Sequence, residues 1–146
     1  MTLPAERWTS CELDHVHWGV NGGAGLLVRY APGNAEPIYL LAQRSRWVDE
    51  GGRWGIPGGA IRDGESPEMA ARRETVEEIG TLPSYRVTGN RDQGCGGGWI
   101  FQMISAEVDR RFEAFCVRET DATGWFTREE MRHLPLHPGI QRWLDR

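Results

Sequence analysis

Three glutamates lie close together in one short acidic segment of the chain. Glu77 and Glu78 follow Glu74 by three and four positions, which places all of them on one face if the segment is helical. Like charges at this spacing repel each other, by about a few tenths of a kcal/mol per pair. Carboxylates with no histidine or cysteine nearby suit Mg²⁺ or Mn²⁺ better than zinc. The row therefore fits a hard divalent cation and phosphate chemistry. Taken alone, such a row is more often a solvated acidic face, and the spacing of the residues around it decides between the two.

The segment that carries these glutamates has the end signals of a helix. Ser66 is an N-cap residue, Pro67 takes the first helical position and Gly80 follows the last turn. These signals predict a helix from Pro67 to Ile79. Its other side is expected to pack on a sheet, through Met69, the aliphatic stem of Arg73, Val76 and Ile79.

The rest of the chain alternates strand-like and helix-like segments. Runs of branched and aromatic residues predict strands at Leu26–Tyr30, Ile38–Gln43, Tyr85–Thr88 and Trp99–Val108. A capping box at Thr127–Glu130 predicts a short helix, and Ile140, Trp143 and Leu144 predict a terminal one. This order favours a sheet covered by helices, in the α/β or α+β range, and leaves the topology open.

Composition predicts one ordinary globular domain over residues 1–146. The chain is 39% hydrophobic and 26% charged, and a chain of this length can bury roughly 70% of its unfolded surface without metal or disulfide staples. A formal charge of −4 disfavours a nucleic-acid polymer as partner but allows a small phosphate ligand. No apolar run is long enough to cross a bilayer and no leader pattern opens the sequence, so we expect no membrane contact and a cytoplasmic location.

The cysteines and histidines carry a weaker signal. Cys11, Cys95 and Cys116 are odd in number and form no C-x-x-C pair, which favours free thiols over a disulfide framework or a zinc site. His15 and His17 alternate and would face one side of a strand. Two histidines without a third ligand are more often structural than metal-binding, so a structural role is expected.

The glycines and charges around the acidic row fit a longer pattern. Residues 59–81 resemble the Nudix box, which reads G-x5-E-x7-R-E-U-x-E-E-x-G-U, with U an aliphatic residue. Every charged and glycine position of the box matches. The two U positions are occupied by Thr75 and Thr81. Thr75 keeps a branched shape and can bond its hydroxyl to the preceding turn.

The resemblance implies a fold, a reaction and a set of site residues. Nudix hydrolases are α/β/α sandwiches around a mixed sheet, with the box as a loop–helix–loop. They use one to three divalent ions to hydrolyse the pyrophosphate linkage of a nucleoside diphosphate joined to another group, and for this chain we expect Mg²⁺, with Mn²⁺ as an alternative. The implied metal ligands are Gly59 through its carbonyl, Glu74, Glu77 and Glu78, the last two also counted as catalytic. Glu65 is expected to pair with Arg73 and to orient the helix.

Outside the box the resemblance gives further candidates. The general base is sought first at Glu119 and second at Asp121, and Arg44 lies where related enzymes often bind phosphate. The arginine fork suits that task. Trp54 leads into the box, where an indole could stack on a base. An ordinary structural role is open for each of these residues.

The substrate is narrowed mostly by elimination. No proline occurs between Ser84 and Leu134, which counts against the ADP-ribose type, and Val48 replaces an arginine of the coenzyme A type. What remains is a MutT-like nucleoside triphosphate pyrophosphatase acting on a small nucleotide, as a monomer or homodimer. The alternatives are a hydrolase of a nucleotide-sugar, ADP-ribose or coenzyme A substrate, or a non-catalytic nucleotide-binding domain.

Overall fold

The structure is a computed structural model that describes residues 4–146. Its strands are β1 (Trp8–Ser10), β2 (Val16–Trp18), β3 (Gly23–Tyr30), β4 (Ile38–Arg44), β5 (Trp54–Gly55), β6 (Gly58–Ala60), β7 (Arg86–Gly94), β8 (Ile100–Val108) and β9 (Thr120–Phe126). Its helices are α1 (Pro67–Ile79), α2 (Arg128–Met131) and α3 (Pro138–Leu144). None of the helices in the described range is long and apolar enough to cross a membrane.

One mixed sheet forms the centre of the fold. Its strands lie in the order β5-β4-β3-β8-β7, while β6 pairs with β3 and β9 pairs with β4. The β3–β8 pair is parallel and the other pairs are antiparallel. Strands β1 and β2 form a separate two-stranded sheet ahead of β3.

Helices cover both faces of this sheet. The α1 side buries Leu26, Val28, Leu40, Ala70, Ala71, Ile79 and Ile104 among others. The opposite side buries Leu27, Leu41, Met103, Met131, Leu136, Ile140 and Leu144, of which Met131 lies in α2 and Ile140 and Leu144 in α3. The arrangement is an α/β/α sandwich, as predicted.

Helix α1 begins and ends where the sequence predicts. The Ser66 side chain accepts a hydrogen bond from the Met69 backbone at 3.1 Å, and Gly80 closes the helix in the left-handed region at φ 75°. The predicted buried side is partly wrong, because Met69 and Val76 are exposed. Ile79 is buried as predicted, and Ala70, Ala71 and Thr75 take the remaining buried positions. Small alanines allow α1 to approach the sheet closely.

The strands extend beyond the predicted runs where glycines allow close packing. Strand β3 begins at Gly23 rather than Leu26. A Cβ atom on Gly25 would lie 2.6 Å from the Pro57 carbonyl oxygen, so only glycine lets β3 lie against the segment that leads into β6. At the other edge, β7 continues to Gly94 through polar, mostly exposed residues. A glycine-rich turn then joins β7 to β8.

Candidate active site

Arg73 connects the entrance of the box to the helix. Its Nε donates to Glu65 Oε2 at 2.8 Å, and its Nη2 donates to the Ala60 carbonyl at 3.0 Å. Nη1 reaches Glu74 Oε1 at 2.8 Å. The hydrogen bonds from Arg73 lower the pKa of the Glu65 carboxyl to about 2. Glu65 therefore stays ionised and fixes the guanidinium, which in turn orients the acidic side of α1.

Glu74 packs against the backbone of β6. A Cβ atom on Gly59 would lie 2.6 Å from Glu74 Cδ, so the Glu74 carboxylate would have to move if this position carried a larger residue. Only 12% of the Glu74 side chain is exposed, and this burial raises the pKa of its carboxyl group. The Glu74 carboxylate of α1 therefore lies against the backbone of Gly59 in β6. The carbonyl of Gly59 is itself a predicted metal ligand.

Glu78 occupies the most desolvated position of the acidic row. The Gly58 backbone N–H donates to Glu78 Oε2 at 3.3 Å. Burial, followed by the negative charge of Glu74, raises the pKa of Glu78 to about 8. Two carboxylates so close together in a poorly hydrated place are each costly to ionise. A divalent cation between them would offset that cost, so the donor set fits Mg²⁺ or Mn²⁺.

Glu77 lies at the more exposed end of the row. Arg73 Nη1 lies 3.3 Å from Glu77 Oε2, and Arg118 Nη1 lies 2.8 Å from the same oxygen. Arg118 comes from the loop before β9, where its backbone takes φ 55°. Arg118 could not be predicted from the sequence, since an arginine far along the chain in an irregular loop gives no spacing signal. Glu74, Glu77 and Glu78 are called the carboxylate site below.

Arg44 and Glu119 reach the carboxylate site from the sheet. Strand β9 pairs with the end of β4, and the Ser45 backbone N–H donates to the Glu119 carbonyl at 2.8 Å. Among the charges that act on Glu78, Arg44 lowers its pKa and Glu119 raises it. Arg44 is also held by a 2.8 Å bond from its Nε to the Asp49 carbonyl. The strand pairing thus places a cation and an exposed acid beside the helix.

The remaining two candidates lie in different surroundings. Asp121 is exposed within β9, two residues past Glu119. Trp54 is half-buried, with its ring 5.2 Å from that of Phe126 at 78°. The indole of Trp54 packs on the face of the sheet that α2 and α3 cover. Its partial exposure leaves part of the ring accessible.

The carboxylate site lies on α1 beside the sheet, with Arg44 and Glu119 as the neighbouring cation and acid. Such a group of residues can bind divalent cations together with the phosphate oxygens of a substrate. A family model for the NUDIX domain matches residues 22–146. The fold and this match place the chain in the Nudix family.

Known members of the family resemble the chain over most of its length. A Mycobacterium tuberculosis protein provisionally named 8-oxo-dGTP diphosphatase 3 is 34% identical over 141 residues, which cover 92% of this chain and 65% of the relative. The chain thus spans slightly less than two thirds of that relative. The CTP pyrophosphohydrolase of Escherichia coli is 31% identical over 102 residues, covering 68% of this chain and 73% of the relative.

A solved structure agrees with the whole fold. The crystal structure of RenU, a Nudix hydrolase from M. smegmatis, superposes with a TM-score of 0.84 at 31% identity. The match covers 96% of this chain and 91% of that protein. The similarity therefore includes the segment ahead of β3 as well as the box.

Proposed function

We propose that this chain hydrolyses a nucleoside triphosphate to the monophosphate and pyrophosphate, with Mg²⁺ as the preferred cation and Mn²⁺ as a substitute. One observation carries the proposal: Glu74 and Glu78 meet in a desolvated place against Gly58 and Gly59, and a cation is the partner that their charge requires. The proposed ligands are the carboxylates of the carboxylate site and the Gly59 carbonyl.

The residues around the proposed ligands have separate proposed roles in the reaction. When bound, a divalent cation would neutralise phosphate oxygens and lower the pKa of a coordinated water. Glu119 is the proposed base: it accepts the proton that a water loses as the water oxygen bonds to phosphorus and the P–O bridge breaks. Glu65 and Arg73 act by positioning the helix. Arg44 is proposed to bind a phosphate oxygen.

The exposed part of Trp54 is the proposed surface for binding the nucleobase of the substrate. Its ring is fixed at 5.2 Å from Phe126, so it offers a rigid apolar face at little entropic cost. Strand β5 pairs Trp54 with Gln43, next to Arg44 at the end of β4, so the ring lies at the same end of the sheet as the proposed phosphate-binding arginine, on the face that α2 and α3 cover. If the phosphates of a nucleotide were bound at α1, its nucleobase would lie toward this end of the sheet.

The names of the relatives support a triphosphate substrate. The M. tuberculosis and E. coli relatives described above are named for 8-oxo-dGTP and CTP, which are both nucleoside triphosphates. Such a substrate is a small molecule of the cytoplasm, and we place the reaction there. The chain needs no nucleic-acid polymer as partner, and a monomer or a homodimer would suffice.

A nucleotide panel tests the substrate class. The purified chain is incubated with natural and oxidised nucleoside triphosphates, ADP-ribose, a nucleotide-sugar and coenzyme A, each with Mg²⁺ and with Mn²⁺. Release of pyrophosphate and a monophosphate from triphosphates is the expected result. Two monophosphate products from a diphosphate compound would replace the triphosphate proposal, and absence of turnover on every compound would favour a binding domain.

A matched pair of variants tests the carboxylate site itself. Glu78→Gln is expected to lower Mg²⁺-dependent turnover by at least about tenfold with the fold intact. Glu129→Gln is the control, since Glu129 is 73% exposed and lies in α2, across the sheet from α1. Equal activity of the two variants, with unchanged circular dichroism, would contradict the proposed ligand set.

A further inference from the structure

Four sulfur and nitrogen ligands converge away from the carboxylate site. Cys11, His15, His17 and Cys95 each offer one donor atom, and all of these atoms lie within 4.8 Å of one another. Cys11, His15 and His17 come from β2 and the turn that precedes it, and Cys95 comes from the turn between β7 and β8. We call these four residues the Cys–His cluster. The two histidines thus gain the further ligands that the sequence does not place near them.

The spacing of the donor atoms is close to that of a tetrahedral metal site. With Zn–S near 2.3 Å and Zn–N near 2.0–2.1 Å, ligand atoms around one ion lie roughly 3.3 to 3.8 Å apart. The observed spread of up to 4.8 Å exceeds this by about one ångström, which is within the reach of side-chain rotation. The cluster needs no backbone rearrangement to close around an ion.

The imidazole of His17 is held by a stacking contact, and one of its ring nitrogens makes no hydrogen bond to the described residues. Its ring stacks on Trp99 with 4.4 Å between centroids and 5° between planes. Its Nε2 is buried and has no hydrogen-bond partner among residues 4–146. A buried nitrogen without a partner is costly. Coordination of a cation through this lone pair would satisfy it.

The two turns are also shaped to bring the thiols together. The Glu12 N–H donates to the Gly97 carbonyl at 2.8 Å, which links the turns directly. A Cβ atom on Gly97 would lie 2.5 Å from Cys11 Sγ, so glycine is needed where the second turn passes the thiol. The Gly97 N–H points to Cys95 Sγ at 3.3 Å. Such backbone donors orient a sulfur ligand.

We propose that Cys11, His15, His17 and Cys95 bind one Zn²⁺ ion as a structural Cys2His2 site. Two thiolates and two imidazoles in a tetrahedron select zinc over Mg²⁺ or Ca²⁺. Four protein ligands complete the coordination sphere and leave no open position for a water or a substrate. The ion therefore serves structure, in contrast with the cation proposed at the carboxylate site.

The location explains what such an ion would stabilise. Strands β1 and β2 have three residues each, and among residues 4–146 they pair as strands only with each other. A lone two-stranded hairpin is marginal in water, and this one leaves Trp8 and Val16 exposed at 61% and 64%. Zinc would fasten the hairpin to the β7–β8 turn. The large core does not need a metal, whereas this small sheet would gain a further link to the rest of the fold beside the His17–Trp99 stack and the Glu12–Gly97 bond.

Metal analysis of the full chain tests the proposal. The protein is purified with a thiol reductant, incubated with Zn²⁺, desalted and measured by plasma mass spectrometry. One zinc per chain is expected for the unmodified chain. Cys95→Ser and His17→Asn should each weaken Zn²⁺ binding by at least about tenfold. Co²⁺ in place of zinc should give the absorption of a tetrahedral thiolate complex.

Three controls separate this site from other sources of zinc. Cys116→Ser should keep one zinc per chain, because Cys116 is exposed and outside the cluster. Glu78→Gln should also retain one zinc per chain. The zinc proposal is therefore tested independently of the proposed hydrolysis. Should a ligand variant fail to fold, alkylation of the unmodified chain remains decisive. Zinc is expected to protect Cys11 and Cys95 from alkylation and to leave Cys116 reactive.

Several results would overturn the proposal. One is a zinc content below about a tenth of an ion per folded chain after incubation with Zn²⁺. Another is equal alkylation of Cys11 and Cys95 with and without zinc. A third is a Cys11–Cys95 disulfide in protein purified under reducing conditions, which would assign the two thiols to a covalent bond instead.

Discussion

The carboxylate site and the Cys–His cluster are built in opposite ways. The first takes its carboxylates from one helix, α1, and places two of them, Glu74 and Glu78, against one strand, β6. The second collects its ligands from two turns that are far apart in sequence. Oxygen ligands beside open space suit Mg²⁺ and a phosphate, whereas a closed set of sulfur and nitrogen suits zinc. The same small fold can therefore separate a reactive metal position from a structural one.

The difference also extends to what holds each site in place. Arg73 makes hydrogen bonds to Glu65, Ala60 and Glu74, so charged side chains fix the acidic row before any cation arrives. In the cluster the backbone bond from Glu12 to Gly97 is the direct link between the turns. We expect the carboxylate site to keep its shape without metal and the cluster to lose its order. The predictions below test this contrast.

The strongest test concerns the base proposed beside the carboxylate site. Glu119→Gln is expected to lower kcat by about 100-fold, because loss of a general base typically costs 10²–10⁴. Asp121→Asn should change kcat by less than about twofold, since Asp121 is exposed within β9 and lies further along the chain from Val117, whose N–H donates to the Glu78 carbonyl. Steady-state kinetics at saturating Mg²⁺ measures both. The reverse order of effects would transfer the base to Asp121.

The sequence predicts the carboxylate site far better than the cluster, for a physical reason. Helical periodicity and caps are local, so Ser66, Pro67 and Gly80 were enough to bound α1 correctly. The glutamate spacing then placed the acidic row on one face. Strand pairing is non-local, and only the sheet brings Glu119 and Arg44 to that row. For the same reason no spacing pattern connects Cys95 to His17.

Two further errors have the same kind of origin. The sequence pattern placed Met69 and Val76 on the buried side of α1, since it counts apolar side chains and ignores how closely a helix can approach a sheet. The alanines Ala70 and Ala71 take the buried side instead. Glycine-rich β6 and the start of β3 were also missed, because strand propensity is low for glycine. Their close backbone contacts become visible only in the fold.

The ion pair behind the carboxylate site gives the next largest effect. The pKa of Glu65 falls from its ordinary 4.5 to about 2 in the folded chain. A lowered pKa adds stability above pH 4.5, and this stability is lost as the pH falls from 4.5 toward 2. Glu65→Gln is therefore expected to lower the free energy of unfolding by about 2 kcal/mol at pH 7.

Urea unfolding of both proteins at several pH values measures this effect. The difference in free energy of unfolding between the unmodified chain and Glu65→Gln should become smaller as the pH is lowered from about 5 to 3. Glu36→Gln, at an exposed loop position, is the control and should show no gap. A gap that stays constant with pH would mean that Glu65 acts through packing rather than charge.

Selective removal of zinc should affect only one of the two regions. A chelator such as 1,10-phenanthroline, which leaves Mg²⁺ in place, is expected to speed hydrogen exchange of the β1 and β2 amides by at least about tenfold. Amides of α1 should exchange at an unchanged rate, and Mg²⁺-dependent turnover should persist. Equal acceleration in α1 and the hairpin would show that the two regions form one cooperative unit.

The smallest effect is expected at Thr75, which lies behind the carboxylate row and stands where the Nudix box has an aliphatic residue. Thr75 is fully buried, and its hydroxyl donates to the Ala71 carbonyl at 2.7 Å. That carbonyl is also the regular helical acceptor for the Thr75 backbone N–H, so Thr75→Val removes a buried hydroxyl without leaving an acceptor alone. We expect the free energy of unfolding to rise by about 0.5 kcal/mol. Thr75→Ser, which keeps the hydroxyl and loses a methyl group, should lower it by about 1 kcal/mol. If Thr75→Val were the more damaging change, the hydroxyl bond would be part of what holds the acidic row in place.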